Sequence, residues 1–355
     1  MPSDQSRKVA VVLFNLGGPD RPSAIRPFLV NLFRDPAILR VPPLARALLA
    51  RTIAYLRLRA ARFNYTLLGG SSPLVEVTRA QAAALQAALP DARVKCFVAM
   101  RYWHPFSDAA ATAVRAWGPD DIVLLPLYPQ YSTTTTASSL LAWHDAAAKA
   151  GLAAATHTVC CYATDRAFVA SIAGLVRAAY ADARSSLPEG TSLRVLFSAH
   201  GLPEKIISSG DPYQWQVEQT VASVLSVWDA PGLDWTICYQ SRATPVRWLE
   251  PSTISEIERA AREGVAVMLV PIAFVSEHTE TLVELDIEYR HLAERLGVPG
   301  YFRVATPNSD TAFIAALADA VRRARALGIG THSHAGPRVC PERFTGCPCR
   351  LTRPV

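Results

Sequence analysis

Leu124-Leu125-Pro126-Leu127-Tyr128 is followed, 39 residues after its proline, by Asp165-Arg166-Ala167-Phe168, and Leu269-Val270-Pro271-Ile272 is followed at the same interval by Asp310-Thr311-Ala312-Phe313. Equal spacing of two unlike-looking motifs, found twice in one chain, argues for an internal duplication. The register extends upstream, where Leu13-Phe14-Asn15-Leu16-Gly17-Gly18-Pro19 parallels Leu196-Phe197-Ser198-Ala199-His200-Gly201-Leu202-Pro203. Two similar halves predict a cleft between them, with chemistry-bearing residues at matching strand ends, where small-molecule sites most often lie.

Working outward, four strand-like runs recur in each half: 9–16, 94–100, 121–128 and 156–162, then 193–199, 235–239, 265–274 and 301–305. Several are continuously apolar, as expected of parallel strands covered on both faces. Alanine-rich helical periods at 78–89, 107–117, 166–184, 254–263 and 311–327 separate them. This alternation predicts an α/β fold of two similar doubly wound three-layer domains with parallel sheets. We place the domains at 1–165 and 166–330, with a cysteine-containing tail over 331–355. Phe14 to Pro126 spans 112 positions and Phe197 to Pro271 spans 74, so the first half carries an insertion, assigned to about 31–70.

The net charge of +6 is not spread over patches interleaved with aromatics, so nucleic acid is not an expected partner. Six arginines and no acid lie between Arg40 and Arg62, interspersed with Leu44, Leu48, Leu49, Ile53, Tyr55, Leu56 and Leu58. Such a basic amphipathic segment suits either an anionic membrane surface or packing as a helical pair on its own domain. With no apolar run of membrane-spanning length and no leader pattern, the expected location is cytoplasmic. Neither GxGxxG after the first strand nor GxxxxGK[ST] is present, which argues against a nucleotide phosphate loop.

In doubly wound sheets ligands bind beyond the C-terminal strand ends. His200 falls there, followed by Gly201, and a neutral imidazole can take a proton or ligate a metal. After the strand ending at Phe274, Glu277, Glu280, Glu284 and Glu288 recur at intervals of three and four, and the first basic residue is Arg290. Helical spacing would stack these carboxylates on one face. An acidic ladder of this kind can guide divalent cations inward or carry protons outward.

Phe197-Ser198-Ala199-His200-Gly201-Leu202-Pro203, Gly210-Asp211-Pro212-Tyr213, Tyr239-Gln240-Ser241-Arg242, Trp248-Leu249 and the run from Pro271 to Tyr289 resemble the signature blocks of ferrochelatase. Asn15-Leu16-Gly17-Gly18-Pro19, Gly69-Gly70-Ser71-Ser72-Pro73-Leu74, Met100-Arg101-Tyr102, His104-Pro105 and Tyr128-Pro129-Gln130-Tyr131-Ser132 are similar to its N-terminal blocks. The resemblance runs in order over roughly 8–330.

It implies insertion of Fe²⁺ into protoporphyrin IX to make haem, with release of two pyrrole protons. On that basis His200 is the pyrrole-proton acceptor or a ligand to the substrate iron, and Glu280, with His278 beside it, is the opposing carboxylate. Glu284 and Glu288 continue a relay for protons or metal. Arg101, Tyr102, Tyr131, Trp248 and Phe274 are substrate-binding candidates, Arg101 as a partner of a propionate or of an internal acid. The resemblance makes the insertion a lip that touches the membrane, giving a cytoplasmic enzyme peripheral to the inner face of the cell membrane, monomeric or a homodimer. Coproporphyrin III is the alternative substrate. A related cobalt chelatase and a haem- or cluster-binding sensor without turnover are the remaining readings.

Seven cysteines in a chain of this type point to metal or redox use of some of them. Cys96 and Cys238 sit in apolar strand patterns and read as small buried hydrophobes. Cys340, Cys347 and Cys349 crowd the tail, and a complete soft-metal site needs a fourth ligand, which Cys160 or Cys161 can supply. Neighbouring strand residues face opposite ways, so only one of that pair should meet the tail. Some ferrochelatases hold a [2Fe–2S] cluster on three tail cysteines and one internal cysteine, and this set resembles a bacterial version. It departs from the animal pattern by carrying Thr133 where the internal cysteine would stand. Zinc, helped by His332 and His334, is the rival occupant.

Overall fold

In the computed structural model, residues 7–242 and 246–349 are described. The chain divides into two compact units, Met1–Tyr162 with Ile314–Val339 and Pro348–Val355, and Ala163–Phe313 with Cys340–Cys347.

The first unit is built on β1 (Val9–Asn15), β2 (Val94–Met100), β3 (Asp121–Pro126), β4 (Ala155–Val159) and β9 (Gly330–His332), joined in the order β2-β1-β3-β4-β9. The second has β5 (Leu193–His200), β6 (Trp235–Gln240), β7 (Ala266–Pro271) and β8 (Tyr301–Arg303) in the order β6-β5-β7-β8. Every pairing between these strands is parallel. Setting β9 aside, the two orders are the same, strand for strand, as the duplicated motifs predict. β1, β3 and β7 are buried along their whole length, in keeping with sequences that are apolar but for Asn15 and Asp121 at strand ends.

Helices cover these sheets: α1 (Ile25–Phe33), α2 (Pro43–Thr66), α3 (Leu74–Ala88), α4 (Ser107–Trp117), α5 (Thr136–Ala150), α6 (Arg166–Ser186), α7 (Glu204–Ser208), α8 (Tyr213–Trp228), α9 (Thr253–Glu263), α10 (Arg290–Leu296) and α11 (Thr311–Leu327). The repeated aspartates have one physical job. Asp165 Oδ1 accepts from the backbone N–H groups of Ala167 and Phe168 at 3.0 and 3.1 Å. Asp310 Oδ1 does the same for Ala312 and Phe313, both at 3.0 Å. Each satisfies orphan donors at a helix start, worth about 1 kcal/mol. The phenylalanines of the two motifs meet edge to face, with ring centroids 6.2 Å apart.

Three features depart from the sequence expectation. Residues 314–330 group with the first unit rather than the second, because the short strand β9 adds to the sheet beside β4. Of the expected 331–355 tail, 340–347 group with the second unit, and 350–355 lie outside the described residues. The acidic segment Glu280–Tyr289 winds as a π-helix, a form that occurs mostly as short bulges at functional sites.

The expected insertion contains α2. Ala50, Ala54 and Tyr65 turn inward and join a cluster with Ile25, Phe28 and Leu29 of α1. The opposite side is bare: Leu44 is 88% exposed, Leu56 72%, Tyr55 69%, Leu48 67% and Phe63 65%. No described helix is long and apolar enough to cross a membrane.

Candidate functional site

β5 carries His200 to its C-terminal end, where the side chain emerges 35% exposed from an otherwise buried strand. Gly201 follows because a Cβ there would lie 2.8 Å from the Gln240 carbonyl oxygen, well inside van der Waals contact. His200 Nδ1 sits 3.1 Å from Glu280 Oε2. His278 brings Nε2 to 3.5 Å from the same oxygen, while its Nδ1 donates to the Ser276 carbonyl at 3.1 Å. With Nδ1 facing Glu280, Nε2 is the His200 nitrogen presented to a ligand. Two imidazoles thus flank one carboxylate oxygen.

Electrostatics separates the carboxylates. Burial pushes Glu280 up, but the charge and hydrogen bond of His200, aided by His278, outweigh it and hold the carboxyl well below its usual range. His200 is the mirror case: burial opposes its charge, yet Glu280 and then Glu284 leave its pKa above the ordinary imidazole value. Glu284 moves the other way from Glu280, raised by burial and by the Glu280 charge. It does so although Ser241 N donates at 2.9 Å, Tyr289 Oη at 2.7 Å, Gln240 Nε2 at 3.2 Å and the Ser241 hydroxyl makes a still shorter bond. A pair of acids driven apart in this way can divide the work, one staying charged and the other exchanging a proton.

Sequence reasoning left Ser241 and Tyr289 out of the site. Ser241 adopts φ +65, a left-handed conformation uncommon outside glycine, and this turns both its N–H and its hydroxyl onto Glu284. Gln240-Ser241 at a strand end was the available signal. Glu277 is not part of the ladder. Its carboxylate pairs with Arg303 Nη1 at 2.8 Å and accepts from Thr306 N at 2.9 Å. Arg303 also binds Asp286 at 2.6 Å, so the cation that compensates this acidic stretch comes from β8, beyond the reach of local spacing. Glu288 lies exposed at the far end of the π-helix.

Phe274 is half-buried with its ring 4.9 Å from that of His278. Trp248 is buried and bridges to Pro203, beside Gly201. These aromatics, His200, His278, Glu280 and Glu284 all belong to the second unit.

The remaining candidates belong to the first unit. Arg101 Nη2 pairs with Asp35 Oδ2 at 2.8 Å, and its Nε donates to Ser138 Oγ at 2.6 Å, leaving the side chain 22% exposed. Tyr102 is sealed at 1% exposure and its phenol donates to Asp35 at 2.8 Å. It therefore supports the Arg101 pair instead of facing a ligand, a correction to the sequence reading. Alternation along the chain could not reveal this, because the contact depends on Asp35, 67 residues away. Tyr131 is buried at 4% exposure.

Cys160 and Cys349, both of the first unit, are buried with their sulfurs within 4.8 Å of each other, and Cys347 is buried as well. Of the Cys160-Cys161 pair it is Cys160 that joins. Cys340, also buried, accepts from Gln216 Nε2 at 3.1 Å through its sulfur. His332, the proposed zinc helper, turns Nε2 to the Gly328 carbonyl at 3.2 Å. Cys238 is buried and Cys96 half-buried, and burial pushes both thiols up to about 12, so neither offers a ready thiolate.

Comparison with known proteins places these observations in a family. The model for the ferrochelatase family matches residues 8–325. A protein of Caulobacter vibrioides called ferrochelatase is 51% identical over 97% of this chain and 98% of its own length. Those of Phenylobacterium zucineum and Hyphomonas neptunium, also called ferrochelatases, are 48% and 47% identical over 97% and 96% of the chain. Among solved structures, SirB from Bacillus subtilis with Fe³⁺ aligns over 90% of this chain and 96% of its own, with a TM-score of 0.51 at 12% identity, a likeness of fold alone.

Proposed function

The chain belongs to the ferrochelatase family and is a porphyrin-metallating lyase; from that premise we propose that it inserts Fe²⁺ into protoporphyrin IX, with His200 and Glu280 at the reacting centre. The observation that carries the residue assignment is the shared carboxylate oxygen. Glu280 stays ionised between two imidazoles, which orients His200 and leaves Nε2 toward the substrate.

Metallation replaces two pyrrole N–H protons by one divalent ion. His200 takes the two pyrrole protons one after the other on Nε2, and Glu280 stabilises the imidazolium that results each time. Glu284, with its raised pKa, accepts the proton next, and exposed Glu288 delivers it to water. Fe²⁺ as substrate meets a mixed imidazole and carboxylate set suited to a borderline ion. Trp248 and Phe274 supply flat apolar surface for the macrocycle. Arg101, already half-neutralised by Asp35, contributes a shared rather than a full positive charge to a propionate. Protoporphyrin, with two carboxylates, is the substrate of this reading, and coproporphyrin III, with four, is its alternative.

The tail fits a [2Fe–2S] cluster held by Cys160, Cys340, Cys347 and Cys349. Cys160 and Cys349 already converge within the first unit, and a Cys₄ set is what such a cluster takes. When bound it supplies electron-transfer capacity that metallation itself does not need. The bare apolar and arginine-rich side of α2 suits peripheral attachment to an anionic leaflet, with each arginine near the surface adding about 1 kcal/mol.

The test is anaerobic absorbance of the purified protein with Fe²⁺ and protoporphyrin IX or coproporphyrin III, His200→Ala alongside. Haem formation from protoporphyrin, abolished in the variant, is the expected result. Preference for coproporphyrin would overturn the substrate assignment, and a fully active variant would overturn the role of His200.

A further inference from the structure

Beyond the residues that face the substrate, the position of His200 depends on a contact behind it. Ser198 O accepts from Ile272 N at 3.0 Å, on the edge of β5 that faces β7. His200, two residues on, directs its carbonyl to the same edge, because backbone groups alternate sides along a strand. By then pairing of β5 with β7 has ended, at Ser198 against Pro271. The Tyr213 phenol takes the place of the missing ladder donor, giving its hydrogen to His200 O at 3.1 Å.

Tyr213 opens α8 and is itself fixed from two directions. Asp211 Oδ1 accepts from Tyr213 N at 2.9 Å, and Pro212 O accepts from Gln216 N at 2.9 Å, making 211–216 a stiff turn into the helix. That turn is gripped by the tail. Gly346 N donates to Gly210 O at 3.0 Å, and Phe344 packs on Trp215 with ring centroids 5.7 Å apart. Gly210 has φ +93, and a Cβ there would meet Thr345 Oγ1 at 2.3 Å and Thr345 N at 3.0 Å, so the tail lies directly against its backbone. Cys340 closes the grip through Gln216. All these residues belong to the second unit.

We infer that Tyr213 is a positioning residue for His200, and that the Cys340–Cys347 segment of the tail sets it through Gly210. The tail thereby acts on the rate of metallation without touching the porphyrin. This rests on His200 being the base. One lost hydrogen bond corresponds to roughly a tenfold fall in kcat when it orients a reacting group.

The experiment is a double-mutant cycle on Tyr213→Phe and Phe344→Leu, at matched iron and sulfide content per chain, reading kcat and porphyrin KM separately. Expected are a roughly tenfold drop in kcat for Tyr213→Phe with KM unchanged, a smaller kcat drop for Phe344→Leu, and no further drop when the two are combined. Gly210→Ala, which pushes Thr345 away, should repeat the Phe344→Leu result by a second route. An unchanged kcat in Tyr213→Phe, or tail substitutions that lower kcat by the same factor in both backgrounds, would overturn the inference. Metallation surviving in His200→Ala sinks the role of His200 instead, whereas an unaffected Tyr213→Phe beside a dead His200→Ala sinks only this proposal.

Discussion

His200 Nδ1 and Glu280 Oε2 stand 3.1 Å apart, and each moves the other's protonation in opposite directions. The carboxylate stabilises the imidazolium, so His200 loses its proton only above the ordinary imidazole value of about 6.5. The acid limb of kcat/KM, which reports the free enzyme, should lie above that value. In Glu280→Gln the larger of the two charges that oppose burial is gone and only Glu284 is left against it, so the limb should move to lower pH even as the maximal rate falls. A pH profile of both proteins decides it, and a limb that stays in place would show that His200 does not set it.

Burial and the Glu280 charge raise Glu284 above its ordinary value, which suits a group that exchanges a proton. Glu284→Ala should lower kcat by about 10²-fold, the scale of a lost proton-transfer group, with porphyrin binding intact by fluorescence titration. Equal losses in binding and kcat would point to collapse of the Ser241 turn instead.

Arg303 bridges Glu277 and Asp286 with its side chain only 9% exposed. Arg303→Ala strands Glu277 as a buried charge and should cost about 3–5 kcal/mol at neutral pH. Burial would raise Glu277, but Arg303 holds it below its usual value, so its stabilisation is present above the unfolded pKa and lost as pH falls through the folded one. The gap between wild type and variant in urea midpoint should therefore narrow toward acid. A gap that is constant with pH would mean that Glu277 is not the group responsible.

Cys160 meets Cys349 within the first unit and Cys161 is not part of that group. Cys160→Ser should abolish bound iron and sulfide in anaerobically purified protein, and Cys161→Ser should retain both. The reverse pattern would reassign the internal ligand.

Much of this was readable from residues alone. The short continuous apolar runs around Pro126 and Pro271 read as strands buried on both faces, and the repeated interval to Asp165 and Asp310 exposed the duplication, although the capping task of those aspartates was seen only in the structure. The His200 strand end and the Glu280–Glu284 spacing picked out side chains that the structure brings together. Less legible was Arg303, whose partners lie 26 and 17 residues away. Ser241 was hidden too, since nothing in a serine announces a positive φ. Tyr102 looked like a ligand contact by position and proved to be a buried support for Arg101.

By itself, then, the order of residues determined the duplicated parallel architecture and which residue types could carry the chemistry, because hydrophobic period and capping are local properties read over a few neighbours. Only the tertiary structure decided which groups meet: which cysteine of an adjacent pair turns to the tail, which arginine neutralises the acidic stretch, and why two glutamates four residues apart titrate in opposite directions. Those outcomes depend on distance and burial between segments far apart in the chain, and both quantities exist only once the sheets have formed.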